Sequence, residues 1–295
     1  MKKFVYIVMM MVLLLLTSAC LVSVSGFGNG LEMNLTRGDG EVIERDYEIS
    51  EVRAVEIDGF GVVQFAQGDE PSLSIEAEEG YLDDLEVVVS SERLIIRPKN
   101  RWFTGFLPTE TPQYHLTLPA PEEFTLSGAV KFEADEIKTE ELVILCNGGN
   151  DLSVGMIEAD SLVLKAAGAA NWAVDEVYVN EVEIEISGMT NAAFADLQGD
   201  SFALEINGAA SATVAGQVET QTVEISGTGS YQAGDLRSSD ATIKVSGASS
   251  ITVWVTEDLY LDCDGAGKID YWGSPRVAQD NAGLAVITSL GDKEE

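Results

Sequence analysis

The sequence VEIEISG at residues 182–188 returns as FALEING at 202–208, as TVEISG at 222–227 and as TIKVSG at 242–247. Each copy alternates apolar and polar residues and ends in a small or polar residue followed by glycine. The phrase recurs from 124 to 283, and successive repeat glycines stand 18 to 20 residues apart, at Gly128, Gly148, Gly168, Gly188, Gly208, Gly227, Gly247 and Gly265. A nearly constant interval of this size is typical of a solenoid, in which each repeat forms one coil.

Within each repeat the apolar residues have a period of two, which is the period of a β-strand. The positions two residues before the glycines are Leu126, Cys146, Ala166, Ile186, Ile206, Ile225, Val245 and Cys263. Stacking of such positions around a closed core predicts an all-β fold, a single-stranded parallel β-helix with ~20-residue coils that rise ~4.8 Å each. Because Ser, Asn or Asp usually precedes the glycine, we expect each glycine to occupy a corner that needs a positive φ.

An export signal is predicted at the start of the chain, where two lysines precede an apolar run too short for a stable membrane span. The residues Leu-Thr-Ser-Ala-Cys at 16–20 resemble a bacterial lipoprotein lipobox, although Thr17 stands where leucine is usual. The resemblance implies cleavage before Cys20 and lipidation of its thiol; the alternative is an ordinary signal peptide with an incidental cysteine. We therefore predict a signal peptide at residues 1–19 and a glycine-rich, flexible tether at residues 20–41.

One β-helical domain is predicted at residues 42–290. The segment RAVEIDGFG is a first copy of the repeated phrase, and less regular strand-like runs follow it. We interpret residues 42–123 as irregular N-terminal coils ahead of the regular repeats at residues 124–283, because the end repeats of solenoids are commonly atypical. A separate N-terminal lobe ending near Asn100 is the alternative. The end of the chain is expected to form a capping strand and a charged tail.

The three cysteines do not indicate a disulfide framework. If Cys20 carries lipid, Cys146 and Cys263 remain, and they occupy the same inward position of repeats six coils apart. At ~4.8 Å per coil their separation is roughly 29 Å, whereas a disulfide needs Cα atoms within about 7 Å of each other. We expect two free and buried thiols.

Several features occur together in register: Gly-Phe-Gly after VEID at 59–61, Ser-Gly-Ala after FTL at 127–129, and recurring SG and NG corners. Over roughly residues 50–280 they resemble the auto-transporter adhesin head GIN domain family. The resemblance implies a right-handed β-helix exposed at the bacterial cell envelope, an adhesin-like role, and no catalytic residues to carry over.

Charge and residue usage limit the chemistry that the chain can perform. Its formal net charge is −33, and such a field repels nucleic acids and anionic lipid surfaces, so we exclude both as ligands. The one histidine, His115, lies in the strand-like YHLTL, and we interpret it as a partly buried strand residue and not as a triad member or zinc ligand. Phosphate-loop and dinucleotide motifs are absent from the sequence, and we predict no cofactor.

Aspartates recur near two corners of the repeats, at Asp135, Asp160, Asp175, Asp196, Asp200, Asp235 and Asp240. Neighbouring coils can bring some of these carboxylates within ~5–10 Å of one another, and calcium prefers several oxygen ligands. Because the nonapeptide calcium repeat is missing, we interpret them as solvated corner carboxylates and predict no metal site.

Two classes of function are compatible with these features. The first is a non-catalytic, lipid-anchored binding module that presents a β-helical face to a glycan or protein; the second is a carbohydrate-active enzyme, a polysaccharide lyase or hydrolase. Such enzymes need a compact carboxylate cluster, often with a basic residue or a metal. The repeats carry few basic residues, spread over different coils, chiefly Lys131, Lys138, Lys165, Arg237, Lys244 and Lys268. We therefore predict the binding module.

Two tryptophans mark the candidate ligand-binding face. Trp254 and Trp272 stand seven residues after repeat glycines, so period-two alternation turns both outward on adjacent coils, ~4.8 Å apart. Flat aromatic faces suit the apolar faces of sugars, and the nearby Glu257 and Asp270 can accept hydroxyl hydrogen bonds. The equivalent positions of the three preceding coils hold Ala195, Ala215 and Gly234. The alternative is that the C-terminal segment folds over both rings as a cap.

Overall fold

The computed structural model describes residues 36–38, 40–99, 106–280 and 283–293. The predicted signal peptide, Cys20 and most of the predicted tether lie outside the described residues. The described part is built almost wholly from strands, and none of its helices is long and apolar enough to cross a bilayer.

The strands are β1 (Thr36–Arg37), β2 (Val42–Tyr47), β3 (Ala54–Gln67), β4 (Ser72–Glu78), β5 (Leu85–Ser90), β6 (Arg93–Pro98), β7 (Phe106–Leu107), β8 (Gln113–Leu118), β9 (Glu123–Lys138), β10 (Glu141–Ile186), β11 (Met189–Ile206), β12 (Ala209–Ile225), β13 (Thr228–Val245), β14 (Ala248–Cys263), β15 (Ala266–Trp272), β16 (Arg276–Asp280) and β17 (Val286–Gly291). A short helix, α1 (Glu79–Asp84), follows β4.

Parallel pairing stacks the repeats into a solenoid, as the sequence predicts. From β9 onward each strand pairs in parallel with the next coil, in the order β9, β10, β11, β12, β13, β14 and β15. The long strand β10 spans two coils, since Ile144 pairs with Phe124 of β9 while Ile184 pairs with Leu204 of β11. The inward positions are buried throughout, and Ile206 and Leu261 are each 0% exposed.

The first coil lies earlier in the chain than the regular repeats. Strand β3 pairs in parallel with β9, and Gly59 of the Gly-Phe-Gly segment is aligned with Gly128. The intervening residues cover the other side of β3: β6 and β8 pair with it in parallel, whereas β4 runs antiparallel to β8 and β2 runs antiparallel to β4. The part expected as irregular N-terminal coils therefore contains one coil strand and a mixed layer over it, parallel next to β3 and antiparallel farther out.

The largely apolar core contains a short chain of hydrogen bonds. Tyr231, which is fully buried, donates through its hydroxyl to Gln221 Oε1 at 3.1 Å, and Gln221 Nε2 donates to Ser238 Oγ at 2.7 Å. Cys146 and Cys263 are both free and buried, as predicted. Burial raises the pKa of the Cys146 thiol to about 11, which keeps it protonated and unreactive at neutral pH.

Close packing of backbones explains the repeat glycines better than their φ angles do. Positive φ occurs at Gly128, Gly148 and Gly168, but the later repeat glycines do not share it. A β-carbon at Gly188 would lie 1.9 Å from the carbonyl oxygen of Gly168, and one at Gly247 would lie 1.9 Å from that of Gly227. The expectation of a positive φ at every corner was therefore wrong, because most of these glycines are required by a backbone that passes too closely for a side chain.

The two strands of the C-terminal segment extend the solenoid by pairing with earlier coils. Strand β16 pairs in parallel with β14, and β17 pairs in parallel with β15, so that Ile287 is aligned with Ile269. Gly283 continues the glycine column, since a β-carbon there would lie 2.3 Å from the carbonyl oxygen of Gly265. The expected capping strand is thus a further, partial coil.

Candidate ligand-binding face

Trp254 and Trp272 lie side by side on neighbouring coils. Strands β14 and β15 pair these two residues directly, and both side chains are half-buried. The ammonium of Lys293, near the end of the described chain, lies 4.8 Å from the centre of the Trp254 ring. Lys293 also donates to the carbonyl oxygen of Gly234 at 2.6 Å and forms an ion pair with Asp235. One face of Trp254 is therefore covered by a cation from the C-terminal segment.

A bulge changes the surroundings of Trp254 from those expected. The register between β13 and β14 shifts between Ala233 and Arg237, so that Trp254 is aligned with Arg237 and not with Gly234. Gly234 instead lies beneath the other ring: a β-carbon at Gly234 would stand 3.6 Å from both Cδ1 and Nε1 of Trp272. A β-carbon there would be in ordinary van der Waals contact with the indole, so the ring lies directly against the bulge.

Asp270 lies two residues before Trp272 on β15 and is only 9% exposed. Its register neighbours are Thr252 and Thr288, and its Oδ2 forms an ion pair with Lys268. Its other oxygen, Oδ1, is buried and has no hydrogen-bond partner among the described residues. An unpaired buried carboxylate oxygen is costly, so this position favours the arrival of a donor.

Glu257, the fourth residue of the predicted platform, is exposed on β14. It lies at a second register shift of the β13–β14 pair, where Ser238 is aligned with Val255 and Asp240 with Asp258. The structure therefore brings Trp254, Trp272 and Asp270 onto adjacent positions of the last coils, with Glu257 in the bulge beyond them.

The strand segments that precede the repeat glycines pair from coil to coil into one sheet. The outer surface of this sheet carries a column of charged residues. Its members, at successive coils, are Lys165, Glu185, Glu205, Glu224 and Lys244. Lys165 donates to Glu185 at 2.8 Å and to Glu183 at 3.2 Å, and Lys244 forms an ion pair with Glu224. The hydrogen bond from Lys165 lowers the pKa of Glu185 below its usual value. Lys165 therefore stabilises the ionised form of Glu185, and the glutamates of this column line a shallow groove of about 340 Å³.

The sheet that follows the glycines carries a polar ladder that sequence reasoning missed. Asn191 Nδ2 donates to Asn171 Oδ1 at 3.2 Å, and Asn171 Nδ2 donates to Asp151 at 2.7 Å. The small residues Ala173 and Ala193 lie beside this ladder and make the surface flat. The signal is present in the sequence, since Asp151, Asn171 and Asn191 each stand three residues after a repeat glycine, at an outward position.

The described residues contain no cluster of side chains that could bind a metal ion, and His115 has no catalytic partners among them. Three or more His, Cys, Asp or Glu side chains do not converge there in a way that could hold a metal ion. The corner carboxylates have other contacts: Asp196 accepts a hydrogen bond from Gln198 at 2.6 Å, and Asp160 accepts one from Asn180 at 3.3 Å. His115 is a half-exposed residue of β8, with its Nε2 4.0 Å from a carboxylate oxygen of Glu76.

Comparison with known families identifies the chain's relatives. The family model described as "Putative auto-transporter adhesin, head GIN domain" matches residues 51–175 and again residues 164–275. The chain belongs to this family. The two matches follow each other along the solenoid, and they include β14 and β15, which carry the two tryptophans.

Solved structures share the fold of this GIN-domain chain at low sequence identity. A protein of Parabacteroides merdae described as a putative adhesin is 18% identical with a TM-score of 0.63, and the match covers 86% of this chain and 98% of that one. A Parabacteroides distasonis protein described as a putative lipid binding protein is 20% identical with a TM-score of 0.64, over 86% of this chain and 99% of that one. Among curated proteins none matches this chain. At these identities the likeness concerns the fold alone.

Proposed function

We propose that this protein is a non-catalytic, adhesin-like binding module, anchored at the cell envelope by lipid on Cys20, which presents a face of its β-helix to a glycan or a protein. Membership of the adhesin head family supports the adhesin-like role. The proposed ligand platform consists of Trp254, Trp272, Asp270 and Glu257. The observation that carries it is a pair of tryptophans in register beside a buried carboxylate oxygen without a partner.

The chemistry of this patch fits a sugar ring. The half-exposed indole of Trp272 offers an apolar face, and Oδ1 of Asp270 on the same strand can accept a hydrogen bond from a hydroxyl. A hydroxyl that reaches Asp270 relieves the cost of its unpaired oxygen, so that binding gains from a group already desolvated in the free protein. A protein side chain with an N–H or O–H donor satisfies the same oxygen, and the ligand class therefore remains glycan or protein.

Among the described residues, the carboxylates whose pKa is shifted do not have the shift that a general acid needs. A general acid needs a raised pKa, produced by burial or by a neighbouring carboxylate. The pKa values of Glu123 and Glu185 shift downward instead, in each case chiefly because of a hydrogen bond from a basic residue, Arg93 or Lys165. Carboxylates stabilised in the charged form are suited to solvation and to accepting hydrogen bonds.

The platform is tested by replacing both tryptophans with alanine and probing an array of bacterial, plant and animal glycans and of envelope proteins. We expect Trp254→Ala/Trp272→Ala to lose the binding shown by the wild type, with a melting temperature lowered by no more than about 3 °C. The matched control is Tyr178→Ala, which removes a 40% exposed aromatic side chain from another part of the solenoid. Retained binding, or a fall of more than about 10 °C, would identify the rings as a structural cap.

The anchor is tested separately by changing Cys20 to Ser in the full-length chain. We expect the exported variant to leave the membrane fraction, because serine lacks the thiol that is lipidated. Stable attachment requires more than one acyl chain on the cysteine. Unchanged membrane fractionation of the variant would show that Cys20 is incidental.

A further inference from the structure

The two ends of the solenoid are finished differently. At the N-terminal end, β6 and β8 pair with the first coil, and the antiparallel strands β4 and β2 extend this layer. At the C-terminal end, β16 pairs with β14 and β17 pairs with β15, and neither has a second neighbour among the described strands. The backbone groups on the free sides of β16 and β17 therefore form an open sheet edge.

The apolar core is also open at this end. Val277 of β16 is aligned with Leu259, an inward residue that is 1% exposed, yet Val277 itself is 42% exposed. Ile287 of β17 is aligned with the buried Ile269 and is only partly buried. These inward positions are uncovered because no further coil lies above them in the described structure.

Outward residues of the last coil add to the apolar surface. Leu284 is 83% exposed, Val286 is 61% exposed and Leu290 is 38% exposed. The segment GLAVITSLG at 283–291 contains no charged residue, in a chain whose formal net charge is −33. An open edge that is apolar and uncharged is the kind of surface that natural sheets usually protect with lysine, proline or a covering segment.

We propose that this end binds a second copy of the same chain, with β17 running antiparallel to β17 of the copy about a two-fold axis. A two-fold axis turns the parallel coils of one copy antiparallel to those of the other, and the two open edges then supply each other's missing hydrogen bonds. The same contact covers Val277 and Ile287 of both copies.

Charge distribution favours contact between two copies at the C-terminal end of the solenoid. Two copies that approach side by side bring acidic faces together, such as the glutamates beside Lys165, and these repel. The uncharged segment at 283–291 is where that repulsion is least. Because a two-fold contact uses the same edge of both copies, the assembly closes at two copies; the edge strand at the other end, β2, carries Glu44, Arg45 and Asp46.

The first test measures the mass of the full-length chain in detergent by sedimentation velocity over a wide dilution series. We expect a dimer that dissociates on dilution, and a monomer for Val286→Lys/Leu290→Lys at every concentration. Both side chains are exposed, so the variant should keep the wild-type circular dichroism and melting curve. Met189→Lys, which charges a side chain that is 67% exposed in the middle of the solenoid, should remain dimeric. A monomeric wild type, a filament, or an undiminished dimer in the double variant would overturn the proposal.

The second test locates the contact by disulfide trapping in a Cys20→Ser background, where Cys146 and Cys263 are buried. Opposite residues of antiparallel strands stand ~4.5–5.5 Å apart, within the reach of a disulfide. Thr288→Cys or Ser289→Cys, at the middle of β17, should give a covalent dimer under mild oxidation. Thr213→Cys, an exposed residue four coils away in the same column as Thr288, should not. Equal trapping at Thr213 and at β17, or none at β17, would contradict the two-fold arrangement.

Discussion

Gly188→Ala tests whether the glycine column is required by the close passage of backbones. A β-carbon at this position would lie 1.9 Å from the carbonyl oxygen of Gly168, about 1.5 Å short of the 3.4 Å at which ordinary contact begins. The obstacle is backbone, so it cannot be relieved by turning a side chain. Gly188 does not have a positive φ, and the substitution therefore isolates the steric effect from backbone strain.

The expected loss of stability follows from the contacts between coils that the added methyl group disrupts. On one side of Gly188 the amide of Ser187 donates to the carbonyl of Ala166 at 2.8 Å, and on the other side Met189 pairs with Ala169. Separating the coils by more than 1 Å weakens at least these two contacts, at ~1 kcal/mol each, and the crowding itself costs ~1–3 kcal/mol. We expect the free energy of unfolding to fall by about 3–5 kcal/mol.

The matched control is Gly149→Ala. A β-carbon at Gly149 would have its nearest neighbour at 3.9 Å, and this glycine is exposed and lacks a positive φ. Its free energy of unfolding should stay within ~1 kcal/mol of the wild type or rise slightly, because alanine restricts the unfolded chain. Urea denaturation followed by tryptophan fluorescence and circular dichroism measures both variants. If Gly188→Ala and Gly149→Ala differ by less than ~0.5 kcal/mol, the steric explanation is refuted.

Two further predictions concern the core and the N-terminal layer. Ile206→Asp, at a position that is 0% exposed inside an aliphatic column, should prevent folding because an unpaired buried charge costs several kcal/mol; soluble yield and circular dichroism check this, and a folded variant would contradict the predicted column. Glu78 should contribute stability that is complete above its unfolded pKa of 4.5 and is lost as the pH falls through its lower folded pKa. Burial alone raises the pKa of Glu78, but hydrogen bonds from the Thr109 hydroxyl (2.7 Å) and amide (2.5 Å) and from the Glu110 amide (3.2 Å) outweigh it. Glu78→Gln should therefore flatten the acid side of the curve of melting temperature against pH. An unchanged slope would show that Glu78 does not cause the loss of stability in acid.

The repeat carries most of the information about the fold. The inward alternation and the glycine interval predicted parallel coils, and even the isolated copy at Gly59 is aligned with Gly128. The reason for the glycines was not available from the sequence alone, because Ser-Gly and Asn-Gly are equally typical of turns with a positive φ. Only the distance between neighbouring backbones distinguishes the two explanations.

The N-terminal layer was less predictable for a physical reason. Strands β4 and β8 have the same alternation as coil strands, since antiparallel and parallel strands share the period of two. Direction in a sheet depends on how connections return, and the segment between β3 and β9 has no constant interval from which to infer it. Glu78, whose carboxylate joins β4 to Thr109, could not be predicted as a buried ion for the same reason.

The tryptophan site shows how a small irregularity decides a surface. The interval from Gly227 to Gly247 is 20 residues and that from Gly247 to Gly265 is 18, so β13 must lose register with β14 somewhere between those columns. The sequence shows that one coil has two more residues than the next, but it does not show where they lie. Any outward corner can accommodate them, because the inward alternation resumes unchanged on either side. In the structure the surplus lies between Ala233 and Arg237, directly beside the rings. The bulge presents the carbonyl of Gly234, which accepts a hydrogen bond from Lys293, and it places Gly234 next to the ring of Trp272. A bulge next to a candidate site is a common way to redirect side chains. Register shifts also occur in this column of the preceding coils, between Phe194 and Leu197 and between Thr213 and Ala215, but there they have small or aliphatic neighbours in place of two tryptophans.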